Sequence, residues 1–491
     1  MFLFSLKNTY ERADAFEQKK YAPGFHYKYN QVIDEIGFGS YQYKIIATIA
    51  LVNVSLGIFA GLLPFLIPLV KLEIEMETFE VGLLISAQSF GSMLGGLLFS
   101  YISDLKGRRI SMLCGIATTI ICSIVCTLFT TFYPFVLARF GAGIGYGGVL
   151  PVGVTYLTEY LPDHNRGSYL LTMEIFRSFG GLVCIFVAFI SENSWRFFVL
   201  APVVVLSVNM IIIFFFLPES SRYLLFRGKT DRVVELLQDM CEQNSCNFTV
   251  QFCEIDNDEK KKIKNRKKSI CNTLFVRKWD ITIPLLMLWF FPAFGMGVFI
   301  FLPEIMLQLE FTMNEIYILN SFLLLLPMLG IFITTIIIDS FGRKQLISIS
   351  SLISGLSLMC FLLYPQGTKK IIMFYVILGV FSIFMKVYRS VTYAYTPEVY
   401  STSTRTSAVG VMSAADRFAS IIQPIIFSNL VYTSFKLSLA CFGACLLVTF
   451  FFSLLLTKET SNKPLKESFL TETSDHDIGR SALYTSMISD Q

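Results

Sequence analysis

The sequence predicts an all-α membrane protein of twelve transmembrane helices in two pseudo-symmetric six-helix bundles, and three observations carry that expectation. Hydrophobic residues make up 54% of the 491 positions and charged residues only 15%, well under the roughly 25% charged fraction of soluble domains. The apolar residues collect in twelve runs of about 20 residues, the length that crosses about 30 Å of hydrocarbon while keeping every backbone amide bonded within its own helix. Short charged motifs also recur between the runs at a nearly constant offset.

The chain opens with a segment, 1–43, whose Glu, Lys, Asp and Tyr residues leave no apolar core for a cleavable signal peptide. Spans 1 to 6 fall at 45–70, 81–103, 110–130, 133–156, 168–190 and 196–217, within an N-terminal bundle at 44–217. Spans 7 to 12 fall at 281–308, 317–338, 346–364, 371–395, 407–431 and 435–457, giving a C-terminal bundle at 281–457. The connection 218–280 holds 13 Lys or Arg, with a dense run from Lys260 to Lys268, and is cytosolic by the positive-inside rule. Alternation then places both termini, and the loops with Arg108, Arg109, Arg166, Arg343, Lys344 and Arg405, on the cytosolic side. Glu73, Glu75 and Glu77 face the other way. Within the connection, Val233, Val234, Leu236 and Leu237 have the spacing of a short amphipathic helix over 231–240. It is expected either to lie against the membrane face or to be part of a solvated loop, and the basic run after it suits anionic lipid. The tail 458–491, rich in Ser, Thr and Asp, reads as disordered, cytosolic and open to phosphorylation. Asn247-Phe248-Thr249 matches a glycosylation acceptor, but on the cytosolic side it has no use.

Composition excludes several classes of function. A formal charge of +4 is too mild for a nucleic-acid partner, and the cations sit between apolar runs. The 11 Cys show neither a CxxC pair nor metal-ligand spacing, so no metal site and no cofactor are expected. His26, His164 and His476 lie outside the spans and far apart, which leaves no catalytic set, and no GxxxxGK[ST] loop suggests ATP use.

The repeat has three marks. Asp104, Gly107, Arg108 and Arg109 follow span 2; Asp339, Gly342, Arg343 and Lys344 follow span 8. Tyr156, Glu159 and Arg166 follow span 4 as Tyr395, Glu398 and Arg405 follow span 10. Glu219, followed by Arg222, closes span 6 as Glu459 closes span 12. The offsets are 235, 239 and 240 residues. Gly107 and Gly342 are expected to make tight left-handed turns, with each Asp capping a helix end or holding an Arg. Two readings stand: these residues only fix topology, or their charge networks latch the cytosolic face in one conformation and break in another.

These residues, together with Ile36-Gly-Phe-Gly-Ser-Tyr-Gln42, Arg139-Phe-Gly-Ala-Gly-Ile-Gly-Tyr-Gly-Gly148, Leu217-Pro-Glu-Ser-Ser-Arg222 and Tyr395-Thr-Pro-Glu-Val-Tyr400, resemble the major facilitator superfamily. Within it they resemble the branch of synaptic vesicle two-related proteins, niacin carriers and organic ion carriers. The resemblance implies two bundles that rock around a central site. It also shows departures: Leu56 and Phe59 stand where that branch has an acidic pair, and Gly295-Met296-Gly297 where paired Tyr is common.

Charged residues inside the spans mark the candidate site, because an ionised side chain at mid-bilayer requires a cavity or a partner. Arg177, Lys386, Asp416 and Arg417 lie nearest mid-depth, Glu174, Arg389 and Arg139 lie closer to one surface, and Arg139 opens a glycine-rich face on span 4. Cations outnumber anions, which favours an anionic or zwitterionic solute. Equally, Glu174 can pair with Arg177, and Asp416 with Lys386 or Arg389, as internal ion pairs that only join helices. Glu174 or Asp416 can also relay a proton. Phe290, Phe291, Phe294, Tyr388 and Tyr393 are candidates for an aromatic lining. The expected function is a monomeric secondary carrier of a small organic ion, with or without a co-transported proton, in the plasma membrane or a vesicle membrane. The alternative is a transporter-shaped binding or vesicle-regulatory protein that no longer transports.

Overall fold

The computed structural model describes residues 27–162, 166–191, 194–246, 253–254, 279–364, 371–400, 405–456 and 459. Strand β1 (Tyr27–Lys28) and helix α1 (Tyr29–Ile36) lead into six long helices: α2 (Ser40–Ile74), α3 (Thr78–Lys106), α4 (Arg108–Leu128), α5 (Phe132–Tyr160), α6 (Arg166–Ile190) and α7 (Trp195–Phe216). Two short helices follow, α8 (Ser221–Phe226) and α9 (Thr230–Gln243), then strand β2 (Cys253–Glu254). The second half holds α10 (Trp279–Gln308), α11 (Met313–Phe341), α12 (Arg343–Met359) with a 3-10 turn at Cys360–Leu363, α13 (Ile371–Val399), α14 (Arg405–Thr433) and α15 (Phe435–Leu454). Every predicted span overlaps one of these helices, most of which begin before the predicted limit, while the spans expected to end at 130, 217, 364 and 457 overrun the helical residues.

Among the described residues, 11 helices are long and apolar enough to cross a membrane. The Arg405–Thr433 helix is not one of them, because Asp416, Arg417, Gln423 and Asn429 interrupt its apolar run. Outward faces are apolar: Leu97, Leu98 and Tyr101 on α3, Phe214, Phe215 and Phe216 on α7, and Leu325, Leu329 and Phe332 on α11 are all exposed. Such a surface suits lipid as the solvent.

Within the first half, helices touch backbone to backbone. A Cβ on Gly147 would lie 2.0 Å from the Ser92 carbonyl oxygen, and one on Gly95 would lie 1.8 Å from that of Ile144. The glycine-rich face of α5 is thus the seat of α3, the packing that small residues allow between membrane helices. The repeat extends to the opposite end of the bundle: Glu75 after α2 and Glu310 after α10 both adopt positive φ, 52° and 61°, and are 235 residues apart.

The end that carries the charged motifs is built alike in both halves. Gly107 (φ 109°, ψ 159°) and Gly342 (φ 84°, ψ 150°) join α3 to α4 and α11 to α12. The expected left-handed turn is corrected: φ is positive but ψ is extended, a region essentially reserved for glycine. Of the two roles expected of each Asp, Asp104 takes the second, holding an Arg, and glutamates supply the caps. Glu219 Oε1 accepts the Arg108 and Arg109 amides at 2.7 and 3.3 Å, and Glu459 accepts those of Arg343 and Lys344 at 2.9 and 3.0 Å. A carboxylate thus sits on the open amides and positive dipole end of α4 and of α12. Asp104 instead pairs with Arg108 at 3.3 Å. Arg108 also meets Glu159 at 3.2 Å, as Arg343 meets Glu398 at 3.4 Å. Arg222 acts on Glu159 only through its charge. The side chains of Asp339, Arg166 and Arg405 lie outside the described residues.

The amphipathic helix is present as α9, but it buries Val233, Leu237 and Met240 on the protein itself, in one cluster with Val32, Ile33, Ile36 and Tyr41. Asn244 accepts the Tyr41 amide at 3.1 Å, Lys44 Nζ donates to Gln243 at 2.8 Å, and Tyr29 donates its hydroxyl to the Glu159 carbonyl at 2.8 Å. For 230–243 this corrects the solvated-loop expectation, because residues 29–44 supply the apolar partner that sequence spacing cannot name. The basic run Lys260–Lys268, Asn247–Thr249, His164 and the tail beyond 459 lie outside the described residues. Gly107→Ala is expected to lose about 1 to 3 kcal/mol, since its Cβ would also lie 2.3 Å from Glu219 Oε2; a thermal-unfolding shift of the purified protein measures it.

Candidate functional site

Two crossings of α2 and α6 at glycine hold the first pair of charges. A Cβ on Gly57 would lie 2.0 Å from the Arg177 carbonyl oxygen, and one on Gly180 would lie 2.0 Å from that of Val54. The α6 backbone is therefore pressed on α2, leaving the Arg177 and Glu174 side chains to share the opposite space. Arg177 donates to Glu174 Oε1, one turn away on the same helix. On α13, Lys386 and Arg389 are likewise three residues apart. Gly330 of α11 makes room for Lys386, because a Cβ there would lie 3.1 Å from the lysine's own Cβ.

Arg389 meets Asp416 of α14 through two parallel contacts, Nη1 to Oδ1 at 3.1 Å and Nη2 to Oδ2 at 3.4 Å. Bidentate geometry makes this the strong pair of the cluster. Lys386 Nζ lies 3.9 Å from Glu174 Oε2. That contact joins the first half to the second at mid-depth. Arg417 does the same by another route, donating to Ser92 Oγ on α3 at 3.2 Å. The pairs expected from sequence, Glu174 with Arg177 and Asp416 with Arg389, form, and the two contacts across the halves, Lys386–Glu174 and Arg417–Ser92, are ones that sequence spacing did not specify. Side-chain exposures of 26% for Lys386 and 37% for Glu174 leave both partly exposed.

Beside Arg389 lies a narrow recess, with room for little more than one water molecule, lined by Leu288, Trp289, Pro292, Tyr388, Thr392 and Tyr393, with Asp416 at its wall. Pro292 has no amide to give the Leu288 carbonyl, and the Tyr388 hydroxyl donates to that oxygen at 2.5 Å instead. Trp289 and Tyr393 meet edge to face at 4.5 Å, and Arg389 lies 5.9 Å from the Tyr393 ring. The expected phenylalanine lining is corrected: Phe291 stacks on Phe452 and Phe294 packs on Phe427, inside the second half. Sequence missed Trp289, whose neighbour Phe290 packs with Phe291 and Phe294.

Arg139 is fully buried and stands apart from this arrangement. Its Nη2 donates to Gln88 at 2.5 Å and its guanidinium lies 5.1 Å from the Phe59 ring, while Nε and Nη1 have no hydrogen-bond partner. An aromatic face stands where a carboxylate would neutralise it. Among the described residues, no cluster of three or more His, Cys, Asp or Glu could hold a metal ion.

The halves are tied at the end away from the motifs. Lys71 of α2 meets Glu304 of α10 at 3.5 Å and covers the Tyr432 ring of α14 at 3.6 Å. Thr78 and Asn429 bond at 2.5 Å, and Ser86 donates to the Ile421 carbonyl at 2.7 Å. Gly82 lets α3 reach α14, where a Cβ would lie 2.6 Å from the Pro424 oxygen. By contrast, the motif networks described above each close within one half.

Twelve helices in two related halves, tied at one end and facing each other across charged side chains at mid-depth, define a membrane transporter of the major facilitator superfamily. The chain belongs to the sugar (and other) transporter family, whose model matches residues 21–468. It is 27% identical over 476 residues to the synaptic vesicle 2-related protein of Rattus norvegicus, covering 91% of this chain and 84% of that one. It is 25% identical to the niacin transporter NiaP of Acinetobacter baylyi, covering 88% and 98%, and 26% identical to the arabinose-proton symporter of Bacillus subtilis, covering 84% and 89%. The xylose transporter XylE of E. coli, solved in an inward-open conformation, shares the fold with a TM-score of 0.69 at 19% identity over 86% of this chain and 98% of that one. NiaP, the arabinose-proton symporter and XylE are named as transporters. Lys71→Met is expected to loosen the tied end: hydrogen–deuterium exchange across 74–78 and 308–313 rises several-fold, while the turn at 104–109 is unchanged.

Proposed function

We propose that this protein is a secondary carrier that moves a small organic anion or zwitterion by alternating access, with Arg177, Lys386 and Arg389 drawing the solute's carboxylate. One observation carries the reading. Three cations, Arg177, Lys386 and Arg389, face two carboxylates, Glu174 and Asp416, so the cluster keeps one positive charge for a monoanion to neutralise. The niacin transporters among the relatives support it, since niacin joins a carboxylate to a flat ring. A proton-symporting relative supports a co-transported proton, with Glu174 or Asp416 as the acceptor. The bundles 44–217 and 281–457 are the moving bodies, each held rigid at its motif end by its own glutamate-capped turn. We place that end in the cytosol, with both termini, in line with the positive charge of 218–280. A monomer suffices for this cycle.

Uptake by proteoliposomes tests the reading. Nicotinate is expected to enter saturably, and nicotinamide and arabinose far less. Saturable nicotinate binding without flux of any solute would instead favour a transporter-shaped binding protein. Lys386→Ala, and Arg389→Ala combined with Asp416→Asn to avoid a bare carboxylate, are expected to cut uptake at least tenfold with folded yield little changed. Equal losses of yield and uptake would make these charges struts alone.

A further inference from the structure

Of the two carboxylates in this charge cluster, Asp416 is held within its own half by two contacts to Arg389, and Glu174 reaches the opposite half. Glu174 faces three cations: Arg177 on its own helix, and Lys386 and Arg389 on α13. Tyr146 and Tyr393 act electrostatically on Arg177, whose backbone, like that of Gly180, lies against Gly57 and Val54 of α2. These contacts differ in quality. Arg177 binds Glu174 by a hydrogen bond, whereas Lys386 Nζ stands off at 3.9 Å, a charge contact longer than any hydrogen bond.

We propose that Glu174 is an internal occupant of the anion site, holding Lys386 across the halves in the empty carrier until the carboxylate of a solute takes its place. This rests on the organic-anion reading and goes further, since it makes Lys386 the exchangeable cation and Arg389 a fixed one. The exchange is favourable because an entering carboxylate can approach Lys386 to about 2.8 Å and form a charge-assisted hydrogen bond, which Glu174 does not. Glu174 is not stranded on release, because Arg177 on its own helix keeps its charge paired. The Lys386–Glu174 contact is also a tie between the halves at mid-depth, so its replacement by a solute bound to Lys386 removes that tie as the site fills. Binding and freedom to rock are thereby linked through one side chain. The specificity that follows is for a carboxylate: a neutral analogue has no means of competing with Glu174.

Calorimetric binding to the purified full chain in nanodiscs tests this, with nicotinate as the probe and nicotinamide as the uncharged control. Glu174→Gln removes the competitor while keeping the shape, and is expected to tighten nicotinate binding about tenfold and leave nicotinamide unchanged. Lys386→Gln is expected to weaken nicotinate binding at least tenfold. The double variant Glu174→Gln/Lys386→Gln is expected to match Lys386→Gln, because without the lysine there is nothing to compete for. Nicotinate binding that weakens or stays the same in Glu174→Gln, with wild-type binding intact, overturns the exchange and leaves the organic-anion reading standing. Wild-type protein that binds neither nicotinate nor benzoate overturns that reading and this inference with it. Should Glu174→Gln not fold, Glu174→Asp lengthens the contact by one methylene, and a smaller tightening is expected; none at all sinks the proposal.

Discussion

An ionised side chain in hydrocarbon must meet water or an opposite charge, and that requirement shapes the middle of this protein. Arg389 and Asp416 meet it within one half through a bidentate pair. Arg177 and Glu174 meet it on one helix. Lys386 is left with the looser contact across the gap. A helix bearing Asp416 and Arg417 fails the ordinary test of a membrane span by composition, and it can sit in the bundle because its charges turn to α13 and α3 rather than to lipid.

What lets these charges meet is backbone proximity. Helices that lack a hydrophobic driving force toward one another in lipid rely on close van der Waals packing. Gly57 and Gly180 press α2 on α6, Gly147 and Gly95 press α3 on α5, and Gly82 admits the Pro424 carbonyl at the tied end. Proline adds the complementary device. Pro292 opens the α10 ladder at Leu288, and the freed carbonyl is met by Tyr388 from α13, which fixes the wall of the recess beside Arg389. Arg139 shows the opposite economy: a fully buried guanidinium with Gln88 and Phe59 for company and two nitrogens unmatched, a strained use of charge in an otherwise well-packed half.

The duplicated motifs acquire a shared physical role. In each half a glycine with positive φ brings two helices together, and a glutamate from the end of the sixth helix sits on the amides so exposed. The neighbouring arginine then reaches a glutamate on the fourth helix. These are intra-half braces that stiffen a moving body. In the first half the brace is joined to residues 29–44 and to α9 through Tyr29 and Asn244.

The helix count, the duplication and the identity of the mid-depth charges were legible in the sequence because lipid imposes length, apolarity and the rarity of charge residue by residue. The pairs Glu174 with Arg177, and Arg389 with Asp416, were within its reach too, since helical spacing and charge alone suggest them. Tertiary structure decided the rest. That Lys386 faces Glu174, that Trp289 rather than Phe291 lines the recess, that Glu219 and Glu459 rather than Asp104 cap the helices, and that α9 docks on the chain all depend on which faces of distant helices meet. Those meetings are set by interlocking backbones and side chains far apart in the chain, information that local periodicity does not contain.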